Sequence, residues 1–151
     1  MAWRRLWVQV PSTPQTCKNF MAIFKLQKNS VGAKGEKEAQ KYLKKQGYKI
    51  IDRNWCNKKG KRIGEIDIIA MDTATNQTVF VEVKTRKLEK YDESVLPEEQ
   101  ITKSKLNKMN KIAEVYIKEN KLWNEQWRID AISVYIVEDK VHFKHLKNIF
   151  Y

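Results

Sequence analysis

The segment Thr78-Val79-Phe80-Val81-Glu82-Val83-Lys84-Thr85-Arg86 reads as a buried β-strand that carries a carboxylate and an amine. Ionisable groups in such a strand need a reason, because burying a charge without a partner is costly. Side chains alternate across a strand, so Val79, Val81 and Val83 share one face and Phe80, Glu82 and Lys84 the other. Glu82 and Lys84 therefore point the same way, about 7 Å apart at the usual rise of about 3.3 Å per residue. A second acidic strand precedes it, Gly64-Glu65-Ile66-Asp67-Ile68-Ile69-Ala70. Asp67, Glu82 and Lys84 together form a set able to hold a hard cation beside a phosphate.

The pattern around these strands predicts the remaining elements. Gly32 to Gln46 reads as a helix with Ala39, Tyr42 and Leu43 on one side, stopped by Gly47. Strands follow at Tyr48 to Asn54, Ile63 to Met71 and Thr78 to Thr85, with a basic turn at 57–61 and a charged loop from Lys87 to Leu96. Pro97 opens a helix to about Asn120, with an apolar stripe of Ile101, Leu106, Met109, Ile112, Ala113, Tyr116 and Ile117. Strands at Trp127 to Val137 and Val141 to Leu146 close the chain. The order helix, three strands, helix, two strands places the chain in the α/β class, with a mixed central sheet flanked by helices.

A length of 151 residues suits one domain. Met1 to Phe20 shows neither helical nor strand periodicity, and Leu6-Trp7-Val8 is too short for a signal-peptide core. Met21 stands just before the regular pattern. Residues 1–20 are therefore expected to be a non-native or flexible extension, and residues 21–151 a single domain.

Thirty Lys and Arg against 18 Asp and Glu give a formal net charge of +12. That excess favours a polyanionic partner, nucleic acid before an acidic membrane surface. No apolar run approaches the roughly 20 residues of a membrane span. Cys17 and Cys56 make neither a disulfide framework nor a zinc spacing, which points to a reducing intracellular compartment. With only His142 and His145, histidine-based metal or triad chemistry is not expected.

Gly32-x-x-Gly35-Glu36-x-x-Ala39-x-x-Tyr42-Leu43, Gly47-Tyr48, Arg53-Asn54-Trp55, Gly64-Glu65-Ile66-Asp67, Phe80 to Arg86 and Arg128-Ile129-Asp130 occur in series. That series resembles the bacterial YraN family, which is assigned to the PD-(D/E)XK, restriction-endonuclease-like superfamily, near archaeal Holliday-junction resolvases. The resemblance covers roughly Ser30 to the C-terminus. A lone E-x-K would be weak in a Lys-rich chain, whereas the ordered series is specific. Ile66 stands where the superfamily label has proline. The resemblance implies a restriction-endonuclease-like core and a metal-dependent nuclease acting on DNA, with branched or structured DNA as an analogy. It also implies a bacterial, cytoplasmic protein and is compatible with a homodimer.

Phosphodiester hydrolysis needs a metal to bind the phosphate, activate water and stabilise the leaving oxygen. Mg²⁺ or Mn²⁺ suits Asp67 and Glu82, which match the superfamily's metal-ligand positions; the bland reading is solvated strand charges in a cross-strand ion pair with Lys84. Lys84 matches the superfamily lysine, in a positioning and charge-stabilising role. Glu36 shares the inward side of its helix and matches the resolvase-like glutamate, as a third ligand or water-binding group. The alternative for Glu36 is a charge at the helix N-terminus. The implied catalytic set is thus Glu36, Asp67, Glu82 and Lys84, and the implied metal ligands are Asp67, Glu82 and Glu36. Glu65 reads as a structural charge, and Arg128 with Asp130 as a structural ion pair.

Lys58, Lys59, Lys61, Arg62, Arg86 and Lys105 are candidate nucleic-acid contacts, with Lys87 and Lys90 beside them. Such contacts give affinity without sequence reading. For Lys105, which lies inside the apolar arc of its helix, snorkelling past the core edge is an equal alternative. Trp55, Trp123 and Trp127 are assigned to packing before base stacking. The rival class is a non-catalytic nucleic-acid-binding module that keeps a nuclease-like fold.

Overall fold

The computed structural model describes residues 31–57, 60, 62–90 and 102–150. The elements run α1 (Val31–Lys45), β1 (Tyr48–Trp55), β2 (Ile66–Asp72), β3 (Gln77–Leu88), α2 (Lys103–Glu119), β4 (Trp127–Val137) and β5 (Lys140–Leu146). The predicted order is the observed one, a mixed α/β arrangement. The readings for residues 1–30, Lys58, Lys59, Lys61, Pro97 and Ile101 fall outside the described residues. No described helix is long and apolar enough to cross a membrane.

One five-stranded sheet runs in the order β1-β2-β3-β4-β5. Its pairs are antiparallel except β3 with β4, which run parallel from Thr78↔Trp127 to Leu88↔Val137. A tight turn joins β2 to β3, where the Asp72 carboxylate accepts from the amides of Ala74 at 3.1 Å and Thr75 at 3.4 Å. The parallel pair cannot be joined by a turn and needs a crossover, which α2 supplies.

Each helix covers one face. α1 lays Ala39 and Leu43, four residues apart, on Val79, Val81 and Val83 of β3 and Ile68 and Ala70 of β2. α2 lays Met109, Ile112, Ala113, Tyr116 and Ile117 on Phe80, Ile69 and Ile129 of the other face. The Phe80 ring meets Tyr116 and Trp127 edge-on at 5.5 and 5.7 Å, and Trp55 meets Tyr116 at 5.1 Å. Burial of a ring such as Phe80, fully inaccessible here, stabilises the fold by roughly 2–3 kcal/mol. Trp55 is thus a core residue, Trp127 is partly buried against the same cluster, and Trp123 is exposed.

The helix α1 comes unusually close to the sheet at Gly35. A Cβ at that position would lie 2.6 Å from Thr85 Cγ2 and 2.7 Å from Thr85 Cβ, and still nearer the hydroxyl. Only glycine permits this approach, and the neighbouring Glu36 is thereby brought to the sheet.

Several expectations need correction. β2 starts at Ile66 rather than Ile63, so alternation does not extend to Glu65. β3 reaches Leu88, and Lys87 belongs to it rather than to a loop, because β4 pairs with it along its whole length. α2 is described from Lys103, with Thr102 as its N-cap: the Thr102 hydroxyl accepts from the Lys105 amide at 3.2 Å. Cys56 is disulfide-bonded rather than free, where the cysteine count alone suggested reduced thiols; Cys17 lies outside the described residues.

At the start of β3 the sheet encloses an ionic network. Arg128 donates from Nε to Asp130 Oδ1 at 3.0 Å and from its terminal nitrogens to Asp72 Oδ2 at 2.9 Å, Gln77 Oε1 at 2.7 Å and Tyr48 Oη at 3.0 Å. Asp130 is fully buried, and also meets His145 Nε2 at 3.0 Å and the Asn148 amide at 2.9 Å. Arg128 and Asp130 form the structural ion pair the sequence suggests, extended to Asp72 and His145. Burial pushes both aspartates up, but their hydrogen bonds and the Arg128 charge win and hold them below the usual carboxylate range.

The folded values of Asp72 and Asp130 lie below the unfolded value near 4, so their contribution to stability is present above about pH 4 and is lost as pH falls through the folded values. Arg128→Met leaves two carboxylates without their cation and is expected to cost about 3–5 kcal/mol. Urea unfolding at pH 7 measures the cost. The deficit relative to wild type should shrink as pH falls below about 4.

Candidate metal centre

The β2–β3 ladder stops at Ile68↔Val81. One step further it would set Asp67 opposite Glu82. Instead the strands part, and Asp67 Oδ2 accepts from the Val83 amide at 2.7 Å. A side-chain oxygen takes over where the backbone acceptor of β2 has moved away, and it satisfies a donor that burial would otherwise penalise. β3 continues along β4, with Glu82↔Ala131 and Lys84↔Ser133.

The Glu82 side chain is 2% exposed, on the same face as Phe80. Its Oε1 meets Lys84 Nζ at 2.9 Å and Lys105 Nζ at 3.2 Å. Its Oε2 is buried and has no hydrogen-bond partner. A buried carboxylate oxygen left bare costs more than the roughly 1–3 kcal/mol of a neutral group. Lys84 therefore points as alternation requires. Lys105, on the first turn of α2, reaches back to the sheet while its side chain stays partly exposed.

Asp67 is pushed up to about 7. Burial is the main cause and the Glu82 charge the next; the Val83 amide opposes them, Glu36 raises the value further and Lys105 lowers it. Asp67, Glu82, Glu36 and Lys105 thus act on one electrostatic field. Glu36 is half-buried and accepts from Asn54 Nδ2 at 3.1 Å. Asn54 sits between the β1–β2 pairs Arg53↔Ile68 and Trp55↔Ile66, level with Asp67, with a φ of 49° that asparagine tolerates. Glu36 lies beyond the first turn of a helix that begins at Val31, where the N-terminal charge has faded. Its role is toward Asn54 and Asp67. Sequence reasoning missed Asn54 as this partner, although it stands inside the Arg53-Asn54-Trp55 motif.

Among the described residues no group of three or more His, Cys, Asp or Glu is placed to hold a metal ion. Glu36 is accordingly not brought in as a direct third ligand beside Asp67 and Glu82. Mg²⁺ and similar hard cations use one or two carboxylates and keep several waters. The orphaned Glu82 Oε2 and the neighbouring Asp67 carboxylate have that chemistry, so the donor set fits a divalent cation.

Other candidates fall elsewhere. Glu65 pairs with Arg62 at 2.7 Å, which makes Glu65 a structural charge and engages Arg62 within the chain. Arg86, Lys87 and Lys90 are exposed at and just beyond the end of β3.

In the folded chain Asp67 keeps its proton to about pH 7, whereas the unfolded chain releases it near 4. The folded state binds more protons in between, so this group makes stability fall as pH rises from about 4 to 7. Asp67→Asn removes the effect. Without divalent metal, its thermal midpoint at pH 8 is expected to exceed that of wild type, by roughly 1–4 kcal/mol in stability, and the gap should close near pH 4.

A family profile described as "Uncharacterised protein family UPF0102" matches residues 35–134. A UPF0102 protein of Caldanaerobacter subterraneus subsp. tengcongensis, TTE1452, is 42% identical over 125 residues, covering 83% of this chain and 95% of the relative. UPF0102 proteins of Caldicellulosiruptor saccharolyticus and Alkaliphilus oremlandii are 39% identical over 111 residues and 38% over 122, covering 74% and 80% of this chain and 86% and 97% of theirs. A solved structure described as "Crystal structure of SSO0001" aligns over 90% of this chain and 61% of its own length, with 16% identity and a TM-score of 0.34, which carries no fold assignment. The matched span runs from Gly35, at the contact with Thr85, to Val134 on β4 and encloses Glu36, Asp67, Glu82, Lys84 and Lys105: the chain belongs to the UPF0102 family.

Proposed function

We propose that the chain is a metal-dependent nuclease of the PD-(D/E)XK type, with a restriction-endonuclease-like core, that hydrolyses phosphodiester bonds in DNA. The observation that carries this reading is Glu82, buried with one bare oxygen and flanked by Asp67 and Lys84. A fold does not bury a half-satisfied carboxylate beside a second acid for stability, since an apolar residue would serve better.

On this reading Asp67 and Glu82 hold Mg²⁺ or Mn²⁺. When bound, the cation supplies Lewis acidity and a water of lowered pKa. Lys84, set 2.9 Å from Glu82, places its ammonium where charge develops on the phosphoryl oxygens. Glu36, oriented by Asn54, binds or aligns water beside Asp67. Arg86 and Lys87 at the exposed end of β3, with Lys58, Lys59 and Lys61, contact the nucleic-acid backbone and give affinity without sequence reading. Branched or otherwise structured DNA is the favoured substrate and the bacterial cytoplasm the compartment.

A second reading is a nucleic-acid-binding module without catalysis. It is favoured by the two lysines on Glu82 Oε1, which balance charge with no metal, and by the lack of a closed ligand cluster among the described residues. A panel of linear, flapped, single-stranded and four-way DNA with Mn²⁺ separates the two. Wild type is expected to cut at least one substrate, and Asp67→Asn, Glu82→Ala and Lys84→Met to lose about a hundredfold or more in rate with the fold intact by circular dichroism. Metal-independent, salt-sensitive binding with no cleavage would establish the module instead.

A further inference from the structure

The two ammonium groups on Glu82 Oε1 differ in origin. Lys84 lies two residues along the same strand, where β3 pairs with Ser133 of β4. Lys105 crosses from the first turn of α2, and its ion pair is the longer one, 3.2 Å against 2.9 Å. It further lines a small groove with Gly64, Glu65 and Lys108, a basic position next to the carboxylates with side-chain access to solvent.

Two lysines already meet the single charge of Glu82. A dication added on top leaves an excess of positive charge in a partly buried site, where like charges repel strongly. One ammonium has to turn away, or a phosphate has to arrive. Lys105 is the group whose long stem and separate element allow it to swing, and the groove gives it a place to meet an anion.

We propose that Lys105 is a built-in counter-cation: it neutralises Glu82 without metal, competes with the divalent ion for that carboxylate, and passes to a substrate phosphate once the ion is bound. Metal and phosphate then strengthen each other's binding through one side chain, a reciprocal coupling. The inference rests on the metal-dependent nuclease reading and adds to it a positioning residue whose removal affects metal and substrate in opposite directions.

Calorimetric titration of Mn²⁺ alone into the full chain tests it, with K105Q, K105M and K105R beside wild type. K105Q and K105M are expected to bind Mn²⁺ roughly tenfold tighter than wild type and K105R to within about twofold of it. K105Q should nevertheless cleave DNA more slowly. A merely structural lysine would not tighten metal binding when removed. Unchanged or weakened Mn²⁺ affinity in both K105Q and K105M, with wild type binding and cutting normally, overturns this inference alone. If Mn²⁺ binds neither wild type nor any variant, the metal-dependent reading falls with it.

Discussion

Where β2 leaves β3, the amide of Val83 has to find an acceptor, and it finds the carboxylate of Asp67. That bond locates the site. It ties an acid on one strand to the backbone of the next, one residue from Glu82, and holds it in a place dry enough to favour its proton. Closing the ladder would remove the need for Asp67. Opening it further would admit water and relax the electrostatic pressure between the two acids.

The sheet handles charge differently at its two ends. Near the start of β3, Arg128 reaches Asp72, Asp130, Gln77 and Tyr48, and the carboxylates find further donors in backbone amides and His145. Networks of that kind hold strands in register. At Glu82 one oxygen is shared by two lysines and the other by none. The chain is able to satisfy buried acids fully, and the shortfall at Glu82 is what the proposed cation would fill.

Much of this was legible in the residues, because a strand has a period of two. Val79, Val81 and Val83 against Phe80, Glu82 and Lys84 sort onto their observed faces from spacing alone, and the helical stripe from Met109 to Ile117 is read the same way. Failures arose where one element acts on another. Ile63 to Glu65 continues the alternation of β2 on paper, yet pairing begins only at Ile66. Lys87 looks like a loop residue, but Ile136 of β4 pairs with it. Asn54 beside Glu36 and Lys105 beside Glu82 join positions far apart in the chain, which no local period encodes.

The unequal lengths of β2 and β3 have a mechanical consequence. Beyond Val81, β3 keeps a ladder with β4 but none with β2. Apart from the Asp67–Val83 bond, Glu82 to Leu88 thus hangs from one neighbour like a shelf fixed along a single edge. Local opening of such a stretch costs less than global unfolding. The acidic pocket therefore lies on the part of the sheet that opens at least cost, and the Arg128 network at the far end on the part that is tied most tightly.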